Sequence, residues 1–100
     1  MNSRAKGMKN EKRAQDELEA RGYQVIRLWQ PRYAPQGAFD MIAVKTTGGW
    51  LSTVLWVQVR TNAWHNLAPV KDFKIRRLSI NRKEAWMYID GKPDPKVRCL

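Results

Sequence analysis

The sequence predicts a single α/β domain in which a small mixed β-sheet forms the centre and helices flank it. A helix-forming run near the start is followed by several strand-forming runs. The longest of these runs contains VLWVQV, which is nearly continuously apolar and is typical of a strand buried on both faces. A chain of 100 residues has room for one domain, and we assign residues 1–100 to it.

Residues 8–21 lack proline, glycine and β-branched residues, which predicts a helix, and Gly22 supplies its end. We expect residues 1–7 to form a flexible basic arm. The stripe at helical spacing includes Glu11 and Leu18, so a carboxylate shares a face with a core leucine. Either Glu11 points inward for a purpose, or it is solvated in a frayed first turn and favoured by the helix dipole.

Three strands are predicted next, at 23–29, 39–45 and 50–61. The segment 30–38 contains two prolines and a glycine and therefore reads as a loop, and TTGG forms the turn before the third strand. After an irregular connection, residues 71–83 favour a short helix although their apolar spacing is poor. AWMYID (85–90) predicts a fourth strand and VRCL (97–100) a short last one.

The chain carries 19 Lys and Arg against 9 Asp and Glu, a net charge of +10. Such a charge repels itself unless a polyanion neutralises it, and nucleic acid is the first candidate. No apolar run is long enough to span a membrane, and none follows the basic start as in a secretory signal. The one cysteine, Cys99, can form neither an internal disulfide nor a cysteine metal cluster. We therefore expect an intracellular protein of the cytoplasm or nucleoid, with no membrane partner.

Residues 39–61 read as a hairpin centred near Gly49, which places Asp40 opposite Gln58. Gln58 and Arg60 are two apart in a strand and share a face. With Glu11 on the inward face of the helix, these polar groups could converge, and burying them without partners would be costly. A shared Mg²⁺ ion and a phosphate would satisfy them, which is the arrangement that phosphodiester hydrolysis needs.

Three segments carry a family resemblance: KGMKNEKRAQDELEARGYQVIRLW, FDMIAV and VQVRT. In order and spacing they resemble archaeal-type Holliday junction resolvases, a branch of the PD-(D/E)xK nuclease superfamily, over about residues 6–61. The resemblance implies a restriction-endonuclease-like core and a homodimer that binds branched double-stranded DNA. It also implies a Mg²⁺-dependent endonuclease, with Mn²⁺ as a substitute ion, that resolves four-way junctions in DNA recombination and repair.

The resemblance also implies roles for individual residues. Glu11 would be the helix-one carboxylate near the metal and Asp40 the central metal ligand. Gln58 would be the second ligand, and Val59 would offer its backbone carbonyl. Arg60 stands where the family has a catalytic lysine.

Two of these positions depart from the family. Gln58 replaces a carboxylate and so removes one negative charge from the metal site, although an amide oxygen still ligates a hard cation. Arg60 cannot be deprotonated and therefore cannot act as a general base, but it can clamp a phosphate through two hydrogen bonds. The two departures leave open a DNA-binding module on the same fold without catalysis.

The residues expected to bind DNA are cationic or lie in the loop before Asp40. They are Arg4, Lys6, Lys9, Lys12, Arg13, Arg32, Tyr33, Lys71, Lys74, Arg76 and Arg77. For the cations at 71–83, a solvated surface is the plain alternative. A basic RNA- or ribosome-associated protein is a third possibility for the whole chain, since it also explains the charge.

Overall fold

In the computed structural model, which describes residues 3–28, 39–64, 67–68, 71 and 80–100, the chain has a mixed α/β fold. The five strands form one open sheet whose order follows the chain, β1-β2-β3-β4-β5. β3 and β4 are parallel and the other neighbours are antiparallel. The elements are α1 (Ser3–Ala20), β1 (Gln24–Arg27), β2 (Met41–Thr47), β3 (Trp50–Thr61), β4 (Asn81–Tyr88) and β5 (Lys96–Cys99).

The helix α1 begins at Ser3, so residues 3–7 are helical and the expected flexible arm is wrong for them. Lys6 forms an ion pair with Asp90 in the turn before β5, and this tertiary contact holds the first turns of α1 against the domain. Among the described residues, no helix is long and apolar enough to cross a membrane.

The end of α1 is the one that the sequence predicts. The N–H of Tyr23 donates to the carbonyl of Leu18 (3.0 Å), and the N–H of Gly22 donates to that of Glu19 (3.0 Å). This pair of bonds is a Schellman motif, which needs a left-handed residue, and Gly22 supplies it with a φ of 92°. The motif turns the chain directly into β1.

β2 and β3 form a hairpin whose two-residue connection is Gly48–Gly49. Both glycines have positive φ, 60° and 84°, as a type I′ turn requires. The register then shifts between Lys45 and Thr46, because Ser52 is an extra residue on β3, a β-bulge. The Ser52 hydroxyl donates to the carbonyl of Lys45 (3.0 Å) and fixes the bulge. On the side of the bulge away from the turn, β2 and β3 pair without interruption from Lys45↔Thr53 to Met41↔Val57.

The core lies between α1 and one face of the sheet. Ala14 and Leu18 of α1 are fully buried against residues that alternate along the strands. Those strand residues are Met41, Ala43, Leu55, Val57, Val59, Trp86 and Tyr88. Because side chains alternate along a strand, Gln58 and Arg60 belong to the face opposite α1.

Parallel pairing of β3 with β4 requires a crossover connection, which residues 62–80 provide. Within it, the N–H of Lys71 donates to the carbonyl of Leu67 (2.9 Å) in a helical pattern. Most of the expected helix at 71–83 lies outside the described residues, as does the expected loop at 30–38. Residues 81–83 belong to β4, so the expected helix was drawn too far toward the C-terminus.

Candidate active site

Asp40 directly precedes β2 and is held by both neighbouring strands. Its backbone N–H donates to the carbonyl of Val57 on β3 (2.8 Å), and its carbonyl accepts the backbone N–H of Leu28, which follows β1 (3.0 Å). Its carboxylate oxygen Oδ2 accepts the backbone N–H of Val59 (2.7 Å). Asp40 therefore lies beside the stretch of β3 that contains Gln58, where the hairpin register had predicted it.

The environment of Asp40 disfavours its charged form. Burial raises the pKa of the Asp40 carboxyl to about 6, against the opposing effect of the Val59 hydrogen bond. The negative charge of Glu11 and a hydrogen bond with its carboxyl act in the same direction as burial, whereas the positive charge of Arg60 lowers the pKa. Glu11 and Arg60 are thus both close enough to Asp40 to affect its ionisation. The structure brings these three predicted residues together.

Glu11 is not a solvated residue in a frayed first turn. Since α1 begins at Ser3, Glu11 lies well inside the helix, and its side chain is 24% exposed. Its Oε1 is 3.4 Å from a guanidinium nitrogen of Arg27 on β1, and Arg27 also donates to Gln15 (3.3 Å). The Arg27 contact orients the Glu11 carboxylate from the side of β1.

Sequence reasoning missed two residues next to this site. Arg27 had a usable signal, because it is two residues from Val25, which packs against the core, and so faces α1. Asn10 is 5% exposed, and its Nδ2 donates to the hydroxyl of Thr61 at the end of β3 (2.9 Å). The sequence signal for Asn10 was its position four residues before Ala14, which places both residues on the same face of the helix.

Gln58 has an unsatisfied acceptor. The side chain is 5% exposed, and its Nε2 donates to the carbonyl of Val59 at 3.5 Å, a long hydrogen bond. Within the described part of the chain, the buried Oε1 has no hydrogen-bond partner. Leaving a buried acceptor unpaired typically costs about 1–3 kcal/mol. A cation or a donor at Oε1 would remove this cost.

The residues present fit a Mg²⁺ ion with few protein ligands. Over the described ranges no cluster of three or more His, Cys, Asp or Glu exists, and Mg²⁺ is commonly held by one or two carboxylates together with waters. Asp40 and Glu11 supply two carboxyls, and the Gln58 amide oxygen and the Val59 carbonyl are the further oxygens of the kind that Mg²⁺ accepts. Glu11 approaches Asp40 from the helix side of the sheet, whereas Gln58 extends from the opposite face.

Several cations expected to bind DNA form contacts within the protein. Arg13 donates to Asn10 (3.2 Å) and to the carbonyls of Lys92 (3.1 Å) and Pro93 (2.9 Å), and its guanidinium lies 4.3 Å from the ring centre of Tyr88. Arg13 therefore fastens α1 to the turn before β5.

Two other helix cations have acidic partners. Lys6 pairs with Asp90, and Lys12 pairs with Asp16 at 2.9 Å on the exposed side of the helix. Lys9 and Lys71 are exposed. The remaining expected contacts lie outside the described residues: the side chain of Arg4, and Arg32, Tyr33, Lys74, Arg76 and Arg77.

Comparison with known proteins assigns no family to this fold and site. No protein-family model, no curated protein and no solved structure matches the chain.

Proposed function

We propose that this protein is a metal-dependent endodeoxyribonuclease that cuts branched DNA, on a restriction-endonuclease-like core. One observation carries the proposal: the two carboxyls of Asp40 and Glu11 meet in a largely buried position, beside Arg60, in a protein of net charge +10. Two carboxyls that share a site disfavour full ionisation. A divalent cation between them would reverse that cost, which makes the pair suited to metal binding.

Each residue has a defined task in this proposal. Asp40 and Glu11 would hold the ion with their carboxylates, and Val59 would add a neutral backbone oxygen. Gln58 extends from the opposite face of the sheet, so its amide oxygen would be a ligand only of an ion on that side of Asp40. When bound, Mg²⁺ polarises a phosphate oxygen and lowers the pKa of a coordinated water. Arg60 stays protonated, so it binds and orients the phosphate and offsets the charge that develops on it.

The substrate that we propose is a four-way junction, with a homodimer as the active unit. Resolution of a junction needs two symmetric cuts, and a two-fold dimer with one site in each chain provides them. Mn²⁺ would replace Mg²⁺, because both ions accept carboxylate, carbonyl and water oxygens.

The test is cleavage of an end-labelled four-way junction with Mg²⁺ and with EDTA. We expect paired cuts in Mg²⁺ and none in EDTA. Asp40→Asn should abolish cleavage while keeping or strengthening DNA binding, since it removes a negative charge that faces phosphate. Asp94→Asn, at an exposed carboxylate in the turn before β5, is the matched control and should cleave like the parent. Normal cleavage by Asp40→Asn would contradict the assignment of the site.

A DNA-binding module without catalysis is the second candidate. It is favoured by Gln58 and Arg60, which leave the site with two carboxylates and no group that can lose a proton in place of the family's lysine. Junction binding without nicking in Mg²⁺ or Mn²⁺ would support it. Tighter binding to duplex RNA than to four-way DNA would instead favour an RNA-associated protein.

A further inference from the structure

The β2–β3 hairpin extends beyond the rest of the described sheet. β1 pairs with β2 only from Met41 to Val44, and β4 pairs with β3 only from Val54 onward. Residues 45–53 therefore form a two-stranded ribbon that pairs with no third strand among the described residues. At about 3.3 Å per residue, the ribbon projects by roughly 10–13 Å.

The tip of the ribbon is apolar on both sides. Trp50 is 80% exposed and Leu51 is 52% exposed, and adjacent residues of a strand point to opposite faces. A Cβ built on Gly48 or Gly49 would have no atom within 4 Å, so the turn stands clear of the protein. Residues 45–53 include one lysine and no acidic residue.

Exposed apolar side chains are common, and Met8 and Ile26 are 61% and 56% exposed in this protein. The hairpin tip differs from them in two respects. Its apolar residues are adjacent in sequence, and they stand at the end of a narrow projection. The ribbon carries no acidic residue that would repel phosphate, and the protein as a whole has a net charge of +10 that attracts a polyanion, which favours nucleic acid over another protein as its occupant.

We infer that the hairpin tip contacts the bases of bound DNA, with Trp50 stacking on a base and Leu51 packing beside it. Aromatic side chains stack on any base, and apolar side chains also enter between base steps. A two-stranded ribbon is narrow enough to enter a DNA groove. The inference rests on the proposed function, because it gives that function a second contact with the same substrate.

The hairpin also sets where this contact falls. Asp40 directly precedes β2 and Gly48 directly follows it, so the two are eight residues apart along an extended chain. At about 3.3 Å per residue, the tip is about 25 Å from the candidate active site. At about 3.4 Å per base pair, the stacked base lies about seven base pairs from the phosphate at Asp40.

The experiment measures the affinity of the full chain for a labelled four-way junction in EDTA, at several salt concentrations. Trp50→Ala should weaken binding about fivefold to a hundredfold, the usual effect of removing one base-stacking aromatic. The slope of log K against log salt should not change, because no phosphate contact is removed. Trp50→Phe should keep most of the affinity. Ile26→Ala, on the edge strand β1, is the matched control and should bind within about twofold of the parent by the same reasoning.

The outcomes separate the inference from the proposed function. If the parent does not bind DNA, both fail. If the parent binds and Trp50→Ala binds equally well, the proposed function stands and the inference about the tip is overturned. Loss of affinity together with loss of a dimer in sedimentation would also overturn it, since the tip would then join two copies. Fluorescent base analogues along one arm should respond to Trp50 most strongly about seven base pairs from the cut site.

Discussion

Replacing Asp40 by asparagine should make the protein more stable at neutral pH, although it removes the central residue of the candidate site. The carboxylate is largely buried beside Glu11, and these two effects raise its pKa from 3.8 to about 6. Asparagine has nearly the same shape and keeps an oxygen that accepts the N–H of Val59. It carries no charge to desolvate and no charge to repel Glu11.

The size of the effect follows from the pKa. Between pH 3.8 and about 6, the folded protein holds a proton on Asp40 that the unfolded chain has released, so the free energy of unfolding falls as the pH rises. Each pH unit in this interval corresponds to about 1.4 kcal/mol, which sums to about 3 kcal/mol once both states are ionised. Asp40→Asn removes this loss. It should therefore match the parent below pH 3.8 and exceed its stability by about 1–3 kcal/mol above pH 7.

The assay is urea denaturation of parent and variant from pH 4 to pH 8 in EDTA, with Asp94→Asn as the control for removal of one exposed negative charge. The quantity of interest is the stability difference between variant and parent, which should grow through the interval from pH 4 to 6. Added Mg²⁺ should then stabilise the parent and not Asp40→Asn, since a bound ion stabilises only the state that binds it. A variant less stable than the parent at pH 8, or a difference independent of pH, would refute the reasoning about burial.

Three further changes test the remaining contacts. Arg60→Ala should lose cleavage whereas Arg60→Lys keeps a substantial part of it, because the positive charge stays in reach of the phosphate; cleavage by Arg60→Ala at the parent's rate would remove Arg60 from the site. Gln58→Glu should lower the Mg²⁺ concentration for half-maximal cleavage, since Mg²⁺ prefers an anionic oxygen to an amide, and an unchanged metal titration would place Gln58 away from the ion. Arg13→Ala should lower the free energy of unfolding by about 1–3 kcal/mol in urea denaturation, because it removes hydrogen bonds to two carbonyls and the contact with the Tyr88 ring. If Arg13→Ala instead weakens DNA binding at unchanged stability, Arg13 contacts phosphate as the sequence had suggested.

The strands could be predicted from the sequence to within a few residues because their signals are local. The apolar run and the Gly-Gly turn define β3 as 50–61, the range that the structure has. The helix start could not be predicted, since a basic stretch with a glycine at position 7 looks like an arm. Lys6 in this stretch pairs with Asp90 near the other end of the chain, a long-range contact that no local pattern predicts.

The polar neighbours of the site were missed for a related reason. The predicted stripe with Glu11 and Leu18 was centred about one residue too far along the helix, because an asparagine was not counted as a core residue. Asn10 lies in the buried row with Ala14 and Leu18, where its hydrogen bond to Thr61 replaces an apolar contact. A periodicity argument that counts only apolar residues cannot find such a position.

The placement of Asp40 beside Gln58 depends on a feature that the sequence argument did not contain. The turn itself is centred between Gly48 and Gly49, and a plain two-residue hairpin from that turn would pair Asp40 with Val57. The extra residue at Ser52 shifts the pairing by one residue, which moves the centre by half a position to Gly49, and this is why a hairpin drawn around Gly49 has the right register. A shift of one residue exchanges the two faces of a strand relative to its neighbour. The bulge near the projecting tip therefore decides that Val57 packs under α1 while Gln58 and Arg60 face the other way, so the ribbon and the candidate site depend on the same local irregularity.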